Sequence, residues 1–189
     1  MEHFYQNISG WFDYENIYTQ MVSKAPNPAH FVEVGSWKGK SSAFMATEII
    51  RSQKQIKFDC VDTWEGSPEH QAGGQFEDAH VINNTLFDEF VKNMLPVHMH
   101  YRAIKLMSTQ AASQYEDQSL DFVFLDGDHS YASVKEDILA WLPKVKSGGF
   151  LGGHDYGPPG LFPGVAQAVH ELCDNFSPIM PHSWLMQVS

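Results

Sequence analysis

Apolar residues follow two rhythms along this chain. Phe31–Val34, Lys57–Asp62 and Leu120–Leu125 are short runs crowded with Val, Phe and Leu, whereas elsewhere apolar positions return every third or fourth residue. The runs read as strands, and the last of them is apolar enough to be covered on both faces of a sheet. The spaced positions read as helices. One carries Ala43, Phe44, Ala46, Ile49 and Ile50. A second spans Val81–Leu95, with Ile82, Leu86, Phe87, Phe90, Val91 and Met94 on one broad face and Pro96 as its stop. A third carries Tyr131, Val134, Ile138, Trp141, Leu142 and Val145, capped by Ser130 or Ser133 and closed before Ser147-Gly148-Gly149. Residues 11–24, with Trp11, Phe12, Ile17, Tyr18, Met21 and Val22, predict a leading helix beside the sheet, ended by Pro26 and Pro28. Weaker signals add a third strand at Val97–Ile104, a short helix at Ser108–Tyr115 and a short fifth strand at Phe150-Leu151. A helix at Val165–Cys173 follows, then two strands within Ile179–Val188.

Strand and helix alternate throughout, which predicts one α/β domain over residues 1–189: a doubly wound, Rossmann-like sheet with right-handed crossovers and helices on both faces. Residues 63–80 interrupt that economy. The stretch is long against the usual ~4–6 residue connection. With Trp64, Glu65, His70 and hinge glycines at Gly66 and Gly73-Gly74, it reads as a lid over a ligand.

Composition narrows the partners. Twelve Lys and Arg against 23 Asp and Glu give a formal charge of −11, which disfavours nucleic acid. No run approaches the ~18 apolar residues of a membrane span, and no targeting segment is recognisable, so a cytoplasmic location is expected. Cys60 and Cys173 fall in a strand and a helix and read as buried thiols. Self-association through the leading helix stays open.

The first strand leads into a loop and then a helix through FVEVGSWKGKSS, residues 31–42. In a parallel sheet ligands sit outside the carboxyl ends of the strands, and a second acid, Asp62, ends the next strand where a ribose diol would be bound. Glu33, Gly35 and Gly39 form E-x-G-x-x-x-G, which resembles the first motif of class I S-adenosylmethionine (SAM) methyltransferases. The resemblance implies SAM as cofactor and strand order 3-2-1-4-5-7-6, with the last strand, Trp184–Val188, antiparallel. It places Glu33, Gly35, Ser36 and Gly39 at the amino-acid end of SAM and Asp62 at the ribose. Trp64 would flank the adenine or ribose, Ser108 would enter the adenine pocket, and Asp126 would adjoin the cofactor.

Two further motifs concentrate chemistry: LDGDHSY at 125–131 and GGHDYGPPG at 152–160. If their strands are neighbours, Asp126, His154 and Asp155 meet at one sheet edge and can ligate Mg²⁺ or Mn²⁺, with positions left for two acceptor oxygens. Asp128 is then the expected general base, and His129 a second candidate. DGDHSY with the later HDY resembles the metal-dependent O-methyltransferases that act on sugars in macrolide and coumarin antibiotic biosynthesis, and a bacterial and phage-type group carrying DGDHSY and GHDY. Catechol and caffeoyl-coenzyme A O-methyltransferases are more distantly similar. His154 stands where the sugar enzymes carry an aspartate, which removes a negative charge and favours softer metals. The resemblance implies transfer to a small hydroxylated acceptor, a sugar or glycosylated metabolite. A hydroxylase-like enzyme and a non-catalytic SAM or nucleoside binder are the competing expectations, and nitrogen stays open as the methylated atom.

Overall fold

A computed structural model describes residues 1–157 and 162–189; Pro158, Pro159 and Gly160, at the end of the second chemical motif, lie outside the described residues. Seven strands form one sheet: β1 (Ala29–Val34), β2 (Ile56–Asp62), β3 (Arg102–Lys105), β4 (Leu120–Leu125), β5 (Val145–Gly153), β6 (Ser177–Ile179) and β7 (Ser183–Gln187). Their order is β3-β2-β1-β4-β5-β7-β6, and β7 runs antiparallel to both its neighbours. The expected order and the antiparallel last strand are both found. Register puts Val34 beside Val61 and Leu125, so β1, β2 and β4 end level with one another.

Side chains alternate across the sheet, as the pleat requires. Phe31, Phe58, Cys60, Phe122 and Phe124 face α1 (Glu15–Lys24), α2 (Lys40–Ser52) and α4 (Leu86–Met94). Val32, Val34, Val61, Val123, Leu125 and Leu151 face α5 (Ser108–Ala112), α6 (Tyr131–Trp141) and α7 (Pro163–Leu172). Helix α3 (Ala79–Ile82) is a single turn. Among the described residues no helix is long and apolar enough to cross a membrane.

Several boundaries differ from expectation. The leading helix begins at Glu15 rather than residue 11, and Trp11 is 65% exposed. Lys40 Nζ holds the Gly10 carbonyl, and Asp13 and Tyr14 are bound to groups across the sheet edge, so residues 10–14 follow an irregular path. The helix expected over 81–95 is broken at Asn83-Asn84-Thr85, where Asn84 takes φ 54°, and Ile82 and Val91 face solvent. Strand β3 is shorter than expected because Leu95–Val97 forms a 3₁₀ turn. Strand β5 is longer. Pro143 stops α6 and Val145, which fits the helical stripe, instead pairs with Leu120; Ser147-Gly148-Gly149 then lies within the strand, beside a register shift.

One acid is buried midway along β2. Asp59 accepts Arg102 at 2.9 and 2.7 Å and the Tyr115 hydroxyl at 2.7 Å, and pairs with His30 Nε2 at 2.8 Å. Burial opposes its ionisation, yet His30, Arg102 and Tyr115 together hold its pKa down at about 2. Replacing it is expected to destabilise the fold by about 2–3 kcal/mol at pH 7, the scale of hydrogen bonds to a charged group. A carboxylate with a depressed folded-state pKa stabilises above its unfolded value of ~3.9 and loses that contribution as pH falls toward 2. Urea denaturation of Asp59→Asn and the parent should therefore converge as pH drops below 4; a constant gap would contradict the network.

Candidate active site

Glu33 is the penultimate residue of β1 and is 1% exposed. Tyr18 donates to its Oε1 at 2.8 Å, and Ser36 (2.9 Å) and Ser42 donate to Oε2. Burial raises its pKa against those bonds. Its carboxylate therefore ties α1, the β1–α2 loop and the first turn of α2 together. Gly35 at φ 89° donates to the Val61 carbonyl, and a Cβ there would sit 2.0 Å from the Asp126 carbonyl oxygen. Gly39, at φ 87° before α2, presses on Phe90 and Met94. The protein itself requires glycine at both positions, since neighbouring atoms fill the space of a side chain.

Asp62, at the end of β2, accepts Trp37 N–H at 2.8 Å and Trp64 N–H at 2.7 Å. Burial raises its pKa, and these backbone bonds oppose the shift. Trp64 is buried against Phe87 and Phe90, with its indole N–H on the Trp37 carbonyl at 2.9 Å. Its ring belongs to the core rather than to the open side of the loop. Ser108 opens α5 and accepts the Trp141 indole N–H at 2.9 Å. Beside it Asp137 is buried in the apolar face of α6, and desolvation pushes its pKa up to about 6 while a Ser108 hydrogen bond opposes the rise.

The strongest convergence lies at the ends of β4 and β5. Ligand atoms of Asp126, His154 and Asp155 all fall within 4.8 Å of one another. His154 Nδ1 lies 3.5 Å from Asp126 Oδ1 and 3.2 Å from Asp155 Oδ2. Its Nε2 meets Asp13 Oδ1 at 2.8 Å, and Tyr14 donates to Asp126 Oδ2 at 2.8 Å. Burial, Asp126 and Glu33 raise the Tyr14 pKa, which keeps the phenol a donor. Burial would lower the His154 pKa, but Asp126 and Asp155 prevail and push it up to about 11. Asp155 itself is held well below the carboxylate range by His129 and His154, despite burial.

Position decides which other motif residues join this cluster. His129 does: its Nε2 lies 2.9 Å from Asp155 Oδ2 and its Nδ1 3.2 Å from Glu69 Oε1. Asp128 faces the start of α6 instead, where its Oδ1 accepts Ser130 N–H at 2.7 Å. Despite partial burial, the Ser130 and Ser133 bonds lower its pKa. Glu69 belongs to residues 63–80, which fold as turns tied by Phe76 N–H to Glu69 and Asp78 N–H to His70. Asp78 also pairs with the buried Lys38 of the β1–α2 loop. His70 lies between Trp37 and the exposed Trp11, with ring centroids at 4.3 and 6.4 Å. Sequence reasoning missed Asp13, Tyr14, Tyr18 and Glu69, whose partners are remote along the chain.

Comparison with known proteins agrees with this arrangement. Residues 32–156 match the family model described as a methyltransferase domain. The uncharacterized protein y4gI of Sinorhizobium fredii is 25% identical over 153 residues, 81% of this chain and 16% of the relative, so the chain spans about a sixth of that protein's length. The O-methyltransferase NovP superposes with a TM-score of 0.68 at 20% identity, covering 93% of this chain and 79% of NovP. CalS11, a TDP-rhamnose 3'-O-methyltransferase of calicheamicin biosynthesis, gives 0.61 at 12% identity, covering 92% and 76%. At these identities the two structures speak for the fold. The family match runs from β1 through the end of β5 and so includes the strands that carry Glu33 and Asp62 and the Asp126–His154–Asp155 cluster; the chain belongs to the methyltransferase domain family, on the class I fold of the SAM-dependent enzymes.

Proposed function

We propose that the protein transfers a methyl group from SAM to a hydroxyl oxygen of a small acceptor, a sugar or glycosylated metabolite, with the help of Mg²⁺ or Mn²⁺. One observation carries this reading: two carboxylates and an imidazole converge within 4.8 Å at the carboxyl ends of β4 and β5. They adjoin the β1–α2 loop, because Asp126 N–H bonds the Val34 carbonyl. The donor set suits a divalent cation. Two hard oxygens and one nitrogen are offered, and all three residues stay partly open to solvent. The SAM assignment also fits, since half-buried Asp62 ends β2 beside the same loop.

SAM supplies an electrophilic methyl group. A divalent cation lowers the pKa of a hydroxyl that it coordinates. Asp126, His154 and Asp155 would hold that cation, and Asp62 would fix the ribose. His129 has both ring nitrogens on carboxylates, Asp155 and Glu69, and would accept the acceptor's proton at Nε2 once Asp155 turns to the cation, whereas Asp128, the base implied by the sugar enzymes, is engaged at the start of α6. Residues 63–80 would close over the acceptor, with Trp11 and Phe76, whose ring centroids lie 5.8 Å apart, at the rim. CalS11 is a TDP-rhamnose 3'-O-methyltransferase, which supports a sugar-like acceptor.

Calorimetry with SAM and S-adenosylhomocysteine tests the reading. Asp62→Asn is expected to weaken binding by about 1.5–3 kcal/mol, the worth of a charge-assisted hydrogen bond. Hydrogen exchange over residues 63–80 should slow in the same titration. Folded wild type with no detectable binding at millimolar ligand would remove the cofactor assignment.

A further inference from the structure

Two of the three candidate metal ligands are gripped from behind by consecutive residues of the leading segment, Asp13 and Tyr14. Neither residue lies within the family match at 32–156. The Tyr14 hydroxyl occupies Asp126 Oδ2, and Oδ1 is the oxygen that faces His154. Asp13 occupies His154 Nε2, and Nδ1 is the nitrogen that faces Asp126 and Asp155. Each contact selects which atom of a ligand points into the cluster.

We propose that Asp13 and Tyr14 are positioning residues for a divalent cation, and that Asp13 returns to the site, one bond removed, the negative charge that His154 lacks as a ligand. Metal-bound histidines generally give their second N–H to a carboxylate or carbonyl, which fixes the ring and raises the basicity of the bound nitrogen. Here Asp13 meets both conditions: it is 2.8 Å from Nε2, and it sits on a segment anchored by Lys40 to Gly10 and by the buried Tyr14 and Tyr18. Tyr14 does the same for Asp126. It is 3% exposed and its ring packs on Phe124 of β4 at 4.6 Å and near the His154 ring at 4.9 Å, so its hydroxyl has little freedom to turn away. The leading segment is thus part of the metal centre rather than a packing accessory.

This inference rests on the metal reading above, and the experiment separates the two. Mn²⁺ binding to the whole chain would be measured by the electron spin resonance of free Mn²⁺, for wild type, Asp13→Ala, Asp13→Asn and Tyr14→Phe, each shown to be folded by circular dichroism. Loss of an outer-shell partner typically costs ~10–100-fold in metal affinity, the loss expected for Asp13→Ala. Asp13→Asn, which keeps an acceptor for Nε2–H but not the charge, should fall between it and wild type, and Tyr14→Phe should weaken binding by a smaller factor. With Zn²⁺ in place of Mn²⁺, a proton resonance for a hydrogen-bonded His154 Nε2–H should be present in wild type and lost in Asp13→Ala, a change that a purely structural role would not produce. If wild type binds Mn²⁺ and all three variants match it, the positioning role is overturned while the metal reading stands. If folded wild type fails to bind millimolar Mn²⁺, both fall together.

Discussion

Asp126→Asn and Asp155→Asn are each expected to lower methyl transfer by about 10²–10⁴-fold, because the charge stabilisation a cation supplies is worth several kcal/mol and each 1.36 kcal/mol is tenfold in rate. SAM affinity should change little, since Asp62 and the β1–α2 loop are untouched. The amide is the right replacement at residue 155 in particular. Asp155 sits at φ 58°, a left-handed conformation that Asn accepts about as well as Asp, whereas Ala would add backbone strain. The two candidate bases separate in the same assay. His129→Gln should lower the rate by more than it weakens Mn²⁺ binding, whereas Asp128→Asn, which keeps an acceptor for Ser130 N–H, should leave both rate and stability close to wild type. Activity that survives exhaustive chelation, with a near-normal rate for Asp126→Asn, would reject the metal mechanism.

Gly35→Ala is expected to cost about 4 kcal/mol or more of stability, the range reached when a substitution combines backbone strain with a clash that cannot relax. The added Cβ would lie 2.0 Å from the Asp126 carbonyl oxygen and 2.5 Å from its carbon, and both are backbone atoms at the end of β4. Relief would require β1 and β4 to part at the point where Asp126 N–H bonds Val34. Gly73 provides the control. It has a similar φ of 79° but no heavy atom within 4 Å of the added carbon, so Gly73→Ala should lose only the ~1 kcal/mol of left-handed strain. Thermal denaturation of the pair decides the matter: losses of equal size would mean that strain alone, not the β1–β4 abutment, makes glycine necessary at residue 35.

What the sequence carried legibly was local. Glu33 and Asp62 lie at the carboxyl ends of their strands, where an acid was expected, and LDFVFL is the buried central strand its composition implied. The cluster of Asp126, His154 and Asp155 followed once β4 and β5 were taken as neighbours. Other features were illegible because they depend on contacts that no periodicity encodes. Val145 satisfies a helical stripe as well as a strand, and only its pairing with Leu120 settles the choice. Trp64 and Ser108, read as cofactor residues, satisfy each a buried indole N–H, one by giving its own to Trp37 and the other by accepting that of Trp141. Asp13 gave no signal, because an acid before a helix usually reads as a solvated cap and its partner lies 141 residues away.

That separation has a kinetic side. A contact spanning 141 positions closes about three-quarters of the chain into one loop, and long-range contacts of this kind form late because closure entropy must be met before they reward the chain. The pairing of Asp13 with His154 is therefore expected to appear after the sheet from β1 to β5 has assembled. A nascent chain that has not yet delivered residue 154 has no such centre. Any ligand held there would recognise the finished protein alone, so it would act by slowing unfolding rather than by hastening folding.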